Sequence, residues 1–158
     1  MAKTRWITSA GRGKRVAAVV AAAVMAAAVP AGAAHAGASC SFGCSETDNE
    51  TPLPITAFKN WCRSGDGSGD STTTRPTCSS DGVAEQYITV SAWPGQTPAG
   101  QDWDGFQVDA GWCYHVIFES YLWGNWDQFY NQSNKGNLYV KVSNDATAYV
   151  TSQYFGHC

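Results

Sequence analysis

Positive charge is scarce in this chain beyond its first residues. Of the ten Lys and Arg residues only Lys59, Arg63, Arg75, Lys135 and Lys141 follow Cys40, whereas all 13 Asp and Glu residues do, so the segment from Gly37 onward carries a net charge of −8. It has no basic stripe to neutralise phosphates, which argues against a nucleic-acid partner. Anionic membranes are disfavoured for the same reason. Long apolar runs are missing as well. The longest, Val16 to Val29, spans 14 residues, and a membrane-crossing helix needs about 20. Helical periodicity is nearly absent, which argues against a helical fold. No Gly-x-Ser-x-Gly elbow, His-Glu-x-x-His pair or P-loop occurs, so these hydrolase, metalloprotease and nucleotide-binding signatures are lacking.

What the chain does have begins at its start. Lys3, Arg5, Arg12, Lys14 and Arg15 form a basic segment, the Val/Ala/Met run follows, and Ala34-His35-Ala36 supplies small residues at the two positions a signal peptidase reads. This three-part pattern predicts a secretory signal over 1–36. Residues 37–158 are then expected to form a single secreted β-domain, loop-rich over 37–83 and strand-rich over 84–158. Its expected location is extracellular, with no membrane association after the signal is removed.

Six cysteines, Cys40, Cys44, Cys62, Cys78, Cys113 and Cys158, make an even set in a chain read as exported. Three disulfides are expected, although six cysteines permit 15 connectivities. The pairing Cys62–Cys78 is the best motivated. These residues bracket Arg63 to Thr77, a Gly/Ser/Thr/Asp stretch with no apolar pattern of its own, and a bridge closing it contributes about 3 kcal/mol in the chain-entropy model. Pairing of Cys158 would tie down a tail that otherwise frays. Cys40 and Cys44 lack the second pair a zinc site needs. Asp66-Gly67-Ser68-Gly69-Asp70 resembles the opening of a calcium loop, but Ser71 and Thr77 stand where a glycine and a glutamate belong. It reads as a flexible loop, and no cofactor or metal is expected.

From Ala84 onward the pattern alternates. Ile88 and Val90, Phe106 and Val108, and Leu138, Val140 and Val142 each fall on one side of a short run. Trp112 to Trp123 is the longest such run, with Trp112, Tyr114, Val116, Phe118 and Leu122 on the side expected to be core. Period-two alternation is the mark of half-buried strands. The expected class is all-β, a small disulfide-stapled antiparallel sandwich or partly closed barrel. An irregular N-terminal arm over 37–55 and a helical turn around Thr56 to Trp61 are expected before it. Thr147 to Phe155 is a further β-rich run, and Ser143 to Ala146 is expected to turn it and Leu138 to Val142 into an antiparallel hairpin.

Six tryptophans follow Cys40, more large rings than a core of this size needs, so some are expected at the surface. Tyr121, Trp123, Trp126, Trp93 and Trp103 are the candidate ligand-binding residues. Aromatic faces stack on the C–H faces of sugars, and nearby Asp, Asn and Gln side chains bond the hydroxyls. The leading expectation is therefore a non-enzymatic domain that binds polysaccharide or cell-wall glycan. A secreted inhibitor of an extracellular protease or glycosidase is the alternative, with a secreted enzyme as partner. A small secreted hydrolase is the third reading, for which His115 and Glu119 are the catalytic candidates.

Overall fold

The computed structural model describes residues 40, 43–80 and 82–158. The signal reading over 1–36 lies outside them. The chain forms ten strands and no helix among the described residues, arranged as two five-stranded sheets in the orders β5-β1-β10-β7-β8 and β3-β9-β6-β2-β4. The first sheet holds β1 (Glu46–Asn49), β5 (Gly95–Gln96), β7 (Trp112–Ser120), β8 (Gly124–Asn131) and β10 (Ala146–Phe155). The second holds β2 (Ile55–Phe58), β3 (Ser71–Thr72), β4 (Tyr87–Val90), β6 (Gly105–Val108) and β9 (Leu138–Lys141). All pairings are antiparallel except β1 with β10, which is parallel. The sheets do not close into a barrel, so of the two expected architectures the sandwich is the one formed.

Alternation explains the core. Tyr114, Val116 and Phe118 of β7, Ala148 and Val150 of β10, and Tyr130 of β8 face Ile55, Ala57, Val90, Phe106, Val108 and Val140 of the second sheet. The two inner faces together remove these side chains from water, the main favourable term in forming such a layer pair. Both tyrosine hydroxyls of this core find partners. Tyr114 donates to Asp109 Oδ2 at 3.0 Å and Tyr130 to the Gly69 carbonyl at 2.9 Å. Gly105 opens β6 where a Cβ would meet the Val140 carbonyl at 2.1 Å and the Phe58 ring at 2.5 Å. Only a residue without a side chain lets the strands approach this closely.

Several expectations are corrected. The loop-rich half contains three strands, and the expected arm is β1 over its residues 46–49. No apolar alternation marks β1, because its inward positions are polar: Asn49 Nδ2 donates to the carbonyls of Leu53 (2.7 Å) and Ser91 (2.8 Å), and its Oδ1 accepts from Thr51 N–H and hydroxyl. Thr56 to Phe58 is strand β2, not a helical turn. Its inward Ala57 and outward Phe58 are both buried, so alternation in polarity is lost. Ser143–Ala146 does not make a hairpin. Leu138–Lys141 and Ala146–Phe155 lie in different sheets, and the link carries the chain from one layer to the other. Leu122 lies beyond the end of β7 in a turn and is exposed.

The three disulfides are Cys40–Cys44, Cys62–Cys78 and Cys113–Cys158. The second closes the Arg63–Thr77 segment, as its composition predicts. That segment lies over the outer face of the second sheet and covers a small aromatic cluster of Phe58, Trp61 and Tyr139, with Tyr87 against it. Tyr87 donates its hydroxyl to the Pro76 carbonyl at 2.6 Å, fixing loop to sheet. The third ties the last residue to β7, and Cys113 is fully buried. Among the described residues no helix is long and apolar enough to cross a membrane.

Candidate functional site

The hairpin between β7 and β8 ends one edge of the first sheet. Ser120 pairs with Gly124, leaving Tyr121, Leu122 and Trp123 as a three-residue loop, and Gly124 takes the left-handed conformation (φ 78°) that closes such a loop. Ser120 pins it. Its hydroxyl accepts the N–H groups of Leu122 and Trp123, each at 3.1 Å, and donates to Asp145 Oδ2 at 2.5 Å. The Tyr121 N–H donates to the Asp145 carbonyl at 3.2 Å. The loop is held rigid while its side chains point outward. Trp123 is 81% exposed and Tyr121 65%.

Two cavities lie against this loop. One, of about 650 Å³, is lined by Tyr121 together with Glu46, Glu119, Asn125, Asn144 and Asp145. The other, of about 420 Å³, is lined by Trp123 and Trp126 with Ser68, Ser143 and Asp145. Asp145 belongs to both. Trp126 also stacks on the core ring Phe118, with centroids 5.2 Å apart at 14°, so it is anchored from behind. In the larger cavity Glu46 and Glu119 flank Thr147 in register on neighbouring strands, which sets their backbones about 10 Å apart. Asp102, fully buried, braces the wall. It accepts from Ser45 N–H at 2.9 Å, from the Ser45 hydroxyl and from Asn144 Nδ2 at 3.1 Å, joining the segment before β1 to the β9–β10 link.

The larger cavity is acidic and part of an acidic face. Asp48 lies next along β1, and burial, reinforced by Glu46 and Glu50, pushes its carboxyl up from the ordinary value. Burial, reinforced by Glu119, does the same to the Tyr149 hydroxyl. The side chains of Glu46, Asp48 and Glu119 set acidic groups on this surface beside the rings.

The chain matches no family model, no curated protein and no solved structure. The site is read from its own geometry.

The structure brings Tyr121, Trp123 and Trp126 together and separates the other two candidates. Trp93 is exposed but follows β4 in the other sheet, beside Pro94. Trp103 is 2% exposed, with the Lys59 ammonium 5.0 Å from its ring centroid. It is a core residue and offers no face to a ligand at the surface. Its neighbours Asp102 and Asp104 are buried too. Asp66 and Asp70 bond within their own loop: Asp66 Oδ2 accepts from Trp61 Nε1 at 3.0 Å and pairs with Arg63, and Asp70 Oδ2 accepts from Gly67 N–H at 2.7 Å.

His115 and Glu119 share the outer face of β7 but have different partners. His115 Nε2 lies 3.2 Å from Asp127 Oδ2, its Nδ1 lies 2.8 Å from the Thr151 hydroxyl, and its ring stacks on Phe129 at 4.3 Å. Glu119 Oε1 accepts from Asn125 Nδ2 at 3.1 Å. The hydroxyl–imidazole–carboxylate line of Thr151, His115 and Asp127 has the order of a nucleophile, base and orienter. Catalysis also needs a cavity for substrate beside the nucleophile, and neither of the cavities at the hairpin is lined by these three residues. Glu46, Asn144 and Asp145 escaped sequence reading because they reach the site from two segments remote in sequence from the hairpin. The one available signal was an Asn-Asp turn, which is also what any surface turn contains.

Proposed function

We propose that this chain is a secreted extracellular binding domain that holds a polysaccharide or cell-wall glycan across the β7–β8 end of the sandwich. One observation carries the reading. A single pinned turn presents Tyr121 to one open cavity and Trp123 to another, where Trp126 joins it, with carboxylates and amides beside the rings. Rings that stack on sugar faces and acceptors that bond hydroxyls are what such a ligand requires. Rigidity before binding limits the ordering cost. Three disulfides fit an oxidising compartment, as the reading of 1–36 as a secretory signal requires. Intact mass of the protein from culture medium is expected to place the mature N-terminus at Gly37. Retention of residues 1–36 in the released protein would end the signal-peptide reading.

Trp123→Ala is the cleaner test of the glycan site, because the ring is exposed and its removal leaves no cavity. It is expected to weaken retention in affinity electrophoresis on the cognate glycan by about 2 kcal/mol, the loss of one anchoring ring, with an unchanged thermal midpoint. Trp126→Ala is expected to weaken retention and also lower stability, because it strips the cover from Phe118. Wild-type protein that is retained on none of cellulose, chitin, xylan and peptidoglycan would defeat the proposal.

A second reading draws on the same turn. Three consecutive exposed apolar side chains on a rigid loop, Tyr121, Leu122 and Trp123, have the form of an anchor that enters another protein's cleft. Protease and glycosidase inhibition by the wild-type protein, lost in Trp123→Ala without glycan retention, would favour an inhibitor.

A further inference from the structure

A third cavity sits on the opposite layer and has the opposite charge. It measures about 180 Å³ and lies within the loop closed by Cys62–Cys78. Trp61, Pro76 and the disulfide supply apolar walls, and Arg63 and Arg75 line it with Thr74 and Thr77. Two of the five cations that follow Cys40 thus meet at one small pocket in a segment of net charge −8. No carboxylate is among its lining residues.

Both guanidinium groups are held in place. Arg63 Nε pairs with Asp66 Oδ2 at 3.1 Å, and its Nη1 is 3.4 Å from the Ser71 carbonyl. The Arg75 guanidinium lies over the Tyr87 ring, 4.3 Å from its centroid, and makes no contact ion pair among the described residues. Two carboxylates lie nearby. Asp66 is bonded by Arg63 and Trp61. Glu85 lies near the disulfide; its Oε1 accepts the N–H groups of Lys59, Asn60 and Gln86, while its Oε2 is buried without a hydrogen-bond partner among the described residues. A planar cation stacked on a ring keeps its N–H edge available, and that edge matches a carboxylate in two parallel bonds.

We propose that this pocket binds a small organic anion, an apolar or aromatic body carrying one carboxylate. The carboxylate is held by Arg75 and Arg63, and the body lies against Trp61 and Pro76. The volume is below that of pockets for drug-sized ligands, which limits the occupant to about one ring or one amino-acid residue. A bare inorganic anion would leave the apolar walls without a partner, and a neutral hydrocarbon would leave the cations unused. The site is independent of the glycan cavities.

The test titrates the oxidised full-length chain with 3-phenylpropionate, 3-phenylpropionamide and sulfate, followed by the Trp61 indole N–H resonance and by calorimetry. The acid is expected to bind about tenfold or more tightly than the amide, the scale of a charge-assisted hydrogen bond, and to weaken with added salt. Arg75→Ala is expected to lose a similar factor with an unchanged melting temperature, and Lys135→Ala, an exposed cation elsewhere, none. Gly-Gly-Phe with a free and an amidated C-terminus separates two sources of the same chemistry. Tighter binding of the free-acid peptide than of 3-phenylpropionate points to a chain end, and the reverse points to a free acid. Equal affinity for acid and amide, sulfate binding as tight as the acid, or no shift at Trp61 at millimolar ligand would each overturn the proposal.

Discussion

The protein is expected to be more stable at pH 5 than at pH 8, and Asp104→Asn is expected to remove most of the difference. Asp104 is 2% exposed. Burial pushes its carboxyl up to about 7, with Asp102 adding to the rise, against a hydrogen bond from Trp61 N–H and the charge of Lys141 that oppose it. In the unfolded chain an aspartate titrates near 4. Between about pH 4 and pH 7 the folded state therefore holds one more proton than the unfolded state, so stability falls as pH rises through that window and levels off above it. For this one group the loss from pH 5 to pH 8 is about 2–3 kcal/mol. Glu85 and Asp48, also raised by burial, act in the same direction. In Asp104→Asn the carbonyl can keep the bond from Trp61 N–H, and the amide replaces Oδ1, a buried atom without a hydrogen-bond partner among the described residues. Denaturant midpoints across the pH range check this. A wild-type slope of the opposite sign, or a slope unchanged in the variant, would refute the assignment.

Replacing Cys113 and Cys158 together by alanine is expected to cost about 4 kcal/mol in the chain-entropy model, because this bridge closes the longest of the three loops, with a sequence separation of 45. The other restraints on the tail are modest. His157 Nδ1 lies 3.1 Å from both Asn131 Nδ2 and the Ser133 hydroxyl, and Phe155 meets Trp112 edge to face at 5.9 Å. Without the bridge these contacts are too few to hold the tail, and position 113, now covered, becomes accessible. Amide exchange should rise over residues 154–158 while the β7–β10 pairing through Ala146–Val150 stays protected. A loss below about 1 kcal/mol would show that the unbridged unfolded chain is already compact at this end.

Alternation was enough to place β4, β6, β7 and β9, because a strand with one face in the core must repeat every two residues. Composition was enough to pair Cys62 with Cys78, since a segment with no apolar pattern needs a covalent closure. The same reasoning failed at β1 and β2. Buried Asn49 and Thr51 satisfy each other and the backbone through hydrogen bonds, so β1 is inside without being apolar. In β2 a covering loop buries the outer face as well, which erases the period. At the candidate site the sequence named Tyr121, Trp123 and Trp126 among five candidate rings, and the fold set these three apart from Trp93 and Trp103.

By itself the sequence determined the all-β class, the acidic balance and the even cysteine set, because each follows from residue type and near-neighbour spacing. Only the tertiary structure decided which sheet each strand joins. The Ser143–Ala146 link shows why: a short polar turn serves a hairpin and a sheet-to-sheet crossing equally well, and the choice depends on which distant strand offers a complementary face. The structure also decided that Trp103 is core and Trp123 is surface, although both rings sit beside turn residues. Burial of a ring depends on what folds over it, and for Trp103 the cover includes Lys59, more than forty residues away along the chain.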